Sequence, residues 1–81
     1  MEAKNADIDA VAATIHHYLG DHPNAADTLE GIARWWLLGS ADDEWLTSVR
    51  NAIEQLVGRG EMVRQTLRDG TVIYERNRNT A

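Results

Sequence analysis

Three histidines, His16, His17 and His22, are of a residue type that commonly binds metal ions. Successive residues of a helix point about 100° apart, so His16 and His17 cannot easily share one ion. The chain contains no cysteine, and it has no HExxH or comparable ligand spacing. We therefore interpret the histidines as surface residues and expect neither a metal nor a cofactor.

Catalytic groups are not arranged in any recognisable pattern along the chain. There is no cysteine nucleophile, no nucleophile-elbow motif and no glycine-rich phosphate loop. The carboxylates are plentiful but scattered, mostly at the predicted starts of helices. We expect that the protein is not an enzyme and has no small-molecule substrate.

The predicted helix that ends at Gly58 has a polar, uncharged face. This face consists of Thr47, Ser48, Asn51 and Gln55. Asn and Gln can hydrogen-bond to adenine edges, and Ser and Thr can contact phosphates. Any exposed helix also needs polar residues for solvation alone. This face is therefore either a contact for nucleic acid or an ordinary solvated surface.

Arginines in the C-terminal segment, Arg64, Arg68 and Arg76, could line a minor groove or a phosphate backbone. Charged residues on exposed strand edges also prevent strands of different molecules from pairing. Strand alternation places Arg64 and Thr66 on one face and Leu67 on the other. We predict that the arginine face points away from the core.

Large apolar side chains are in surplus near the turn between the second and third predicted helices. Trp is enriched at protein interfaces, although a Trp here could also close the edge of a small core. Three acidic residues in the same stretch could attract a basic partner and repel DNA, or simply cap the third helix and stabilise its dipole. The predicted protein-binding residues are Trp35, Leu38, Asp42, Asp43, Glu44 and Trp45.

Three helices must position these residues. Apolar residues at steps of three and four predict a first helix over about Asp7 to Leu19. A capping box over 27–30 begins the second helix, in which Trp36 faces the core and Trp35 points sideways or outward. The second helix ends at Gly39. The third begins between residues 40 and 44 and ends at the glycines of 58–60.

A β-hairpin follows the third helix. Its strands are predicted over 62–67 and 71–75, and the Asp69-Gly70 pair between them is a strong turn signal. Residues 1–6 and 77–81 are predicted to be frayed ends. The chain is then a single α+β domain, 1–81, with an ordered core over about 7–76.

The charge of the chain limits its partners. Eight basic and thirteen acidic residues give a net charge of −5, which argues against a purely electrostatic nucleic-acid binder. The charge is uneven, because residues 59–81 carry five arginines. The longest apolar run, Trp35 to Leu38, is too short to cross a membrane. With no cysteine, a reducing compartment is favoured, so we expect a cytoplasmic protein.

The spacing of Val49, Ala52, Ile53, Leu56 and Gly60 resembles the recognition helix of the winged helix-turn-helix superfamily. The resemblance covers about residues 8–76. It implies a winged-helix fold, with a three-helix core followed by a β-hairpin wing. It also implies a very short strand at about 24–26 that pairs with the hairpin.

One departure from the superfamily lies just before the third helix. In common bacterial members the turn glycine precedes the helix valine by about six residues, whereas Gly39 lies ten residues before Val49. The surplus is either a longer loop or one additional helical turn. In DNA-binding relatives this end of the helix approaches the major groove, so the acidic residues here would face phosphates.

The sequence predicts a non-enzymatic winged-helix recognition module that binds a protein partner or a second copy of itself, as a homodimer, in a regulatory complex. The alternative is a transcriptional regulator that binds duplex DNA through the third helix and the wing. The residues that would contact DNA are Thr47, Ser48, Asn51, Gln55, Arg64, Arg68 and Arg76.

Overall fold

The computed structural model describes residues 2–39 and 42–78. In chain order the elements are α1 (Glu2–Asp21), β1 (Ala26–Asp27), α2 (Leu29–Gly31), a π-helical segment (Ile32–Trp36), α3 (Asp43–Gly58), β2 (Met62–Thr66) and β3 (Val72–Arg76). The π-helical segment continues α2 directly, so the two form one second helix. The architecture is a small α+β domain of three helices and one three-stranded antiparallel sheet.

The first helix is longer than predicted. It begins at Glu2 and ends at Asp21, so residues 2–6 are helical and not frayed. The apolar repeat begins only at Ile8, and it marks the part of the helix that packs on the core. The preceding residues carry no such repeat, but Glu, Ala and Lys are good helix formers and can extend a helix without burial.

The second helix begins one residue later than the capping box implied. Asp27 belongs to β1, where it pairs with Tyr74. The cap is therefore Thr28, whose Oγ1 accepts a hydrogen bond of 3.1 Å from the Gly31 amide. Asp27 instead accepts from the Thr28 amide at 2.8 Å. Sheet pairing has displaced the helix start.

The sheet order is β1-β3-β2, with every neighbouring pair antiparallel. The hairpin and its Asp69-Gly70 turn are confirmed, and Gly70 has a φ of 92° that favours glycine. The expected short strand is present at Ala26–Asp27, slightly later than 24–26. This short strand pairs only with the end of β3 near Glu75. The hairpin turn therefore extends beyond the short strand.

The core lies between α1, the second helix, α3 and the start of β2. Tyr18 stacks on Trp36 with ring centroids 4.6 Å apart, which confirms that Trp36 faces inward. Over residues 8–39 and 42–78 no polar or charged side chain is buried. The buried side chains are Val11, Ala12, Ile15, Leu19, Ile32, Ala33, Trp36, Val49, Ala52, Ile53, Leu56 and Met62.

The prediction that the chain is frayed from residue 77 onward is wrong for Asn77. The Asn77 amide donates to the Glu61 carbonyl at 3.0 Å, and Asn77 Nδ2 donates to the Gly60 carbonyl at 2.9 Å. These bonds join the end of β3 to the turn after α3. Residues 79–81 of the predicted tail lie outside the described residues. Within the described part of the chain, no helix has the length and apolarity needed to span a bilayer.

Candidate interaction surfaces

The second helix ends in an exposed apolar turn. Leu37 donates its amide to the Ile32 carbonyl at 3.1 Å, and Gly39 donates to the Ala33 carbonyl at 2.9 Å. This closure places Leu38 at a φ of 54°, a left-handed conformation that is costly for a residue with a Cβ. The Leu38 side chain is 84% exposed, and that of Trp35 is 68% exposed.

Trp45 does not join this exposed pair. Its side chain is partly buried against the core, and its Nε1 donates to the Ala33 carbonyl at 3.3 Å. The indole lies so close to Gly39 that a Cβ built there would be 2.3 Å from Nε1. Of the three apolar residues predicted to form an interface, Trp35 and Leu38 are both exposed. Trp45 instead packs against the inner side of the turn.

Residues 43–45 of the surplus form the first turn of α3. Asp42 is the N-cap, and its Oδ1 accepts a hydrogen bond of 2.8 Å from the Trp45 amide. Asp43 and Glu44 are exposed in the first helical turn, where acidic side chains stabilise the helix dipole. The part of the surplus that the structure describes therefore includes the first turn of α3. Residues 40 and 41 lie outside the described residues.

Two surfaces carry the exposed large apolar side chains of the described residues. Trp35, Leu38, Asp43 and Glu44 constitute the corner surface. The start of α3 lies beside the turn, because the side chain of Trp45 in that helix lies against Gly39, the residue after Leu38. Leu67 and Arg68 constitute the hairpin tip. Leu67 is 42% exposed, and sequence reasoning did not select it as an interface residue.

The predicted polar face of α3 is divided in the structure. Thr47 and Asn51 are exposed and Ser48 is half-buried. Thr47 Oγ1 donates to the Asp43 carbonyl of its own helix at 2.9 Å. Gln55 Nε2 donates to Asp9 Oδ1 of α1 at 3.2 Å, so Gln55 joins two helices. The four residues therefore do not present one uniform surface.

Arg64 faces the helices, contrary to the expectation. Alternation along β2 is as predicted, but Met62 is buried, and Arg64 shares its face of the strand. The guanidinium reaches Glu54 of α3, with Nη2 3.0 Å from Oε1 and 3.3 Å from Oε2. The burial of Met62 decides which face of the strand points inward, and alternation alone could not reveal it.

The other C-terminal arginines are spread over the molecule. Arg76 is exposed beside an open depression of about 350 Å³ that also contacts His16 and Glu61. Arg78 donates to Asn24 Oδ1 at 3.1 Å. Arg68 lies exposed at the hairpin tip. With Arg64 paired to Glu54, these positions do not make a continuous positive strip.

The histidines do not converge. His16 Nδ1 lies 2.9 Å from Glu61 Oε1, the His16 and His17 rings are 6.2 Å apart, and His22 packs against Tyr18. Over the described ranges, no group of three or more potential ligands could hold a metal ion.

The fold and surfaces define a small α+β domain whose topology is compatible with a winged-helix-like arrangement. Comparison with known proteins finds no matching family model, no matching curated protein and no matching solved structure.

Proposed function

We propose that this chain is a winged-helix recognition module that acts in the cytoplasm without catalysis and binds a protein partner in a regulatory complex. The order helix, short strand, two helices and hairpin supports the winged-helix reading, as does the pairing of the short strand with the last strand. The corner surface supports protein binding.

The exposure of Leu38 carries the proposal. A leucine at a φ of 54° sits where glycine or asparagine is favoured, and its side chain is 84% exposed. The hydrogen bonds that close the helix end account for the conformation, but both the positive φ and the exposure of the apolar side chain are unfavourable in the isolated chain. Backbone strain of this kind tends to occur at functional sites. Burial of Leu38 and Trp35 by a partner would offset the free-energy cost of the left-handed backbone and of the exposed apolar side chain.

Site-specific photo-crosslinking in the native cells tests this proposal. A photoreactive aromatic residue in place of Trp35 should give a discrete cross-linked product, and the additional change Leu38→Asn should reduce its yield. The matched control places the same residue at Glu30, which is exposed on the same helix. If position 35 gives no product beyond that of position 30, the corner surface does not bind a protein.

Duplex DNA remains the second candidate, favoured by the exposure of Asn51 on α3 and Arg68 at the hairpin tip. The exposed carboxylates of Asp43 and Glu44 and the Arg64–Glu54 pair weigh against it. Fluorescence anisotropy at low salt maximises the electrostatic contribution to binding. Under this candidate Arg68→Ala weakens binding, whereas Arg78→Ala, at an arginine bound to Asn24, has little effect. No binding at low salt would exclude DNA.

A further inference from the structure

The first strand of the hairpin, β2, lies at an edge of the sheet. The strand order is β1-β3-β2, so β3 pairs with one side of β2 and, within the described part of the chain, no strand pairs with the other. The Leu67 amide donates to the Thr71 carbonyl at 2.7 Å, and the Asn77 amide donates to the Glu61 carbonyl at 3.0 Å. Because backbone hydrogen-bonding groups alternate in direction along a strand, the odd-numbered residues over 61–67 point theirs at β3. The even-numbered residues point theirs outward.

Arg64 and Thr66 form the accessible part of this outward edge. Both residues are exposed, whereas Met62 before them is buried. A row of unpaired N–H and C=O groups is a template on which another extended strand can pair. The strand contains no proline, and its pairing with β3 is not interrupted by a bulge. Its one charged side chain, Arg64, is held by Glu54 of the same chain.

The outer face of β2 carries apolar side chains in a symmetric arrangement. Val63, Gln65 and Leu67 share this face, because alternate residues of a strand point the same way. Leu67 is 42% exposed, Gln65 is exposed and Val63 is half-buried. Val63 and Leu67 lie two positions before and two positions after Gln65. A two-fold axis at Gln65 therefore brings the valine of one copy opposite the leucine of another.

We propose that β2 pairs with β2 of a second copy of this chain, antiparallel and about a two-fold axis at Gln65. Arg64 of each copy then lies opposite Thr66 of the other, and each such pair exchanges both of its backbone hydrogen bonds. Val63 packs on Leu67 of the other copy. The contact is isologous, so it closes as a dimer with one continuous sheet. It uses no residue of the corner surface and therefore goes beyond the proposed function.

The register follows from the residues that the edge offers. An axis at Arg64 would place that arginine opposite itself, and an axis at Thr66 would place Arg64 opposite Arg68. Like charges directly opposite each other are destabilising. An axis nearer the start of the strand would require the buried Met62 to pair. The axis at Gln65 avoids all three arrangements.

The helices leave room for this pairing. In each copy α3 packs against β2 near Met62, which belongs to the core. With the axis at Gln65, Met62 lies opposite residue 68 of the other copy, so the two methionines are separated along the strands by roughly 20 Å. This separation exceeds the diameter of a helix, about 10–12 Å. The two α3 helices therefore do not occupy the same space above the joined sheet.

Disulfide trapping tests the register, because the full chain contains no cysteine. In this dimer Gln65 faces itself as a non-hydrogen-bonded pair with Cα atoms about 4.5 Å apart, which a disulfide can bridge. Gln65→Cys should form a covalent dimer in a glutathione redox buffer. The matched control is Arg68→Cys, which is equally exposed but roughly 20 Å from its own copy, and it should remain monomeric. Equal yields at both positions would overturn the register.

Proline substitution tests whether the free edge forms the contact. Thr66→Pro removes the outward amide from both copies and leaves the bonds to β3 in place, and proline is tolerated at such positions of edge strands. Sedimentation velocity should show the wild type associating between micromolar and millimolar concentration and Thr66→Pro associating at least about tenfold more weakly. Thr66→Ala retains the amide and should associate like the wild type. Circular dichroism verifies that each variant is folded. Equal association of the two variants would overturn the proposal.

Two further results would overturn self-pairing and leave the proposed function standing. A wild type that stays monomeric at millimolar concentration excludes the dimer. A photoreactive residue at position 65 that captures a different protein in the native cells shows that the edge takes a foreign strand. Neither result affects the cross-link from position 35, which tests the corner surface by itself. Conversely, a dimer trapped through Gln65→Cys stands even if position 35 yields no product.

Discussion

The Nε1 of Trp45 donates a hydrogen bond of 3.3 Å to the backbone carbonyl of Ala33, which also accepts the Gly39 amide at 2.9 Å. One carbonyl thus joins the end of the second helix, the turn and the first turn of α3. Because this turn displays Leu38, the conformation of the corner surface depends on a side chain that lies beneath it.

Removal of the indole donor should destabilise the domain. Trp45→Phe retains an aromatic ring but loses the hydrogen bond to Ala33, at an expected cost of about 0.5–1.5 kcal/mol in the free energy of unfolding. The matched control is Trp35→Phe, at a side chain that is 68% exposed and should be nearly neutral. Urea denaturation monitored by circular dichroism measures both. Equal effects would show that the Trp45 bond does not support the fold.

A methyl group at Gly39 should be poorly tolerated. Its Cβ would lie 2.3 Å from Trp45 Nε1, so either the indole or the turn must move. We expect Gly39→Ala to cost about 1–3 kcal/mol, as overpacking usually does. Gly20→Ala is the control, because nothing lies within 4 Å of the new Cβ. It should stabilise α1 by about 0.5–1 kcal/mol. Thermal unfolding of the two variants should shift in opposite directions.

Relief of the left-handed backbone at Leu38 should stabilise the isolated domain. Leu38→Asn introduces a residue that tolerates positive φ and removes an exposed apolar side chain. The expected gain is about 0.5–1 kcal/mol, a fraction of the cost of that conformation for an ordinary residue. Trp35→Gln, in the preceding π-helical segment and without a positive φ, should change stability little. A loss of stability in Leu38→Asn would contradict the proposed strain.

Such a variant should also bind its partner less well. Stability would rise while association falls, because the conformation that costs free energy in the isolated domain displays the contact residue. Substitutions that improve stability and impair function are expected at strained functional sites. Comparison of the unfolding curve with the dissociation constant of the same variant separates this outcome from general misfolding, which would lower both.

Protonation of Asp69 should loosen the hairpin turn at low pH. The hydrogen bond from the Thr71 amide holds the pKa of Asp69 below its usual value of 3.8. A lowered pKa means that the ionised carboxylate stabilises the folded state. This contribution is fully present above the unfolded pKa and is lost as the pH falls through the folded pKa. Side-chain NMR titration should give a midpoint below 3.8, and Thr71→Pro, which removes the donor, should raise it.

The sequence by itself predicted the elements of this protein. Glycines at 58 and 60 marked the end of the third helix, Asp69-Gly70 marked the hairpin, and the apolar repeats selected most of the core. These features act through local backbone preference and helical or strand periodicity, which a single chain segment contains in full. The second helix was predicted to end at Gly39 but ends at Trp36, with Leu38 in the left-handed position that glycine usually takes. The start of α1 was placed too late because residues 2–6 extend the helix without contributing to that repeat.

The tertiary structure decided which predicted site residues are available to a partner. Trp35 and Trp45 are the same residue type, yet one is exposed and the other is held against Gly39 and Ala33. Arg64 and Arg68 are both hairpin arginines, yet Glu54 pairs with Arg64 and not with Arg68. Periodicity gives the relative direction of neighbouring side chains, but only packing determines which direction faces the core. That is why the sequence predicted the residues of the corner surface, whereas only the folded domain separated them from the partly buried Trp45 and showed Leu67 exposed at the hairpin tip.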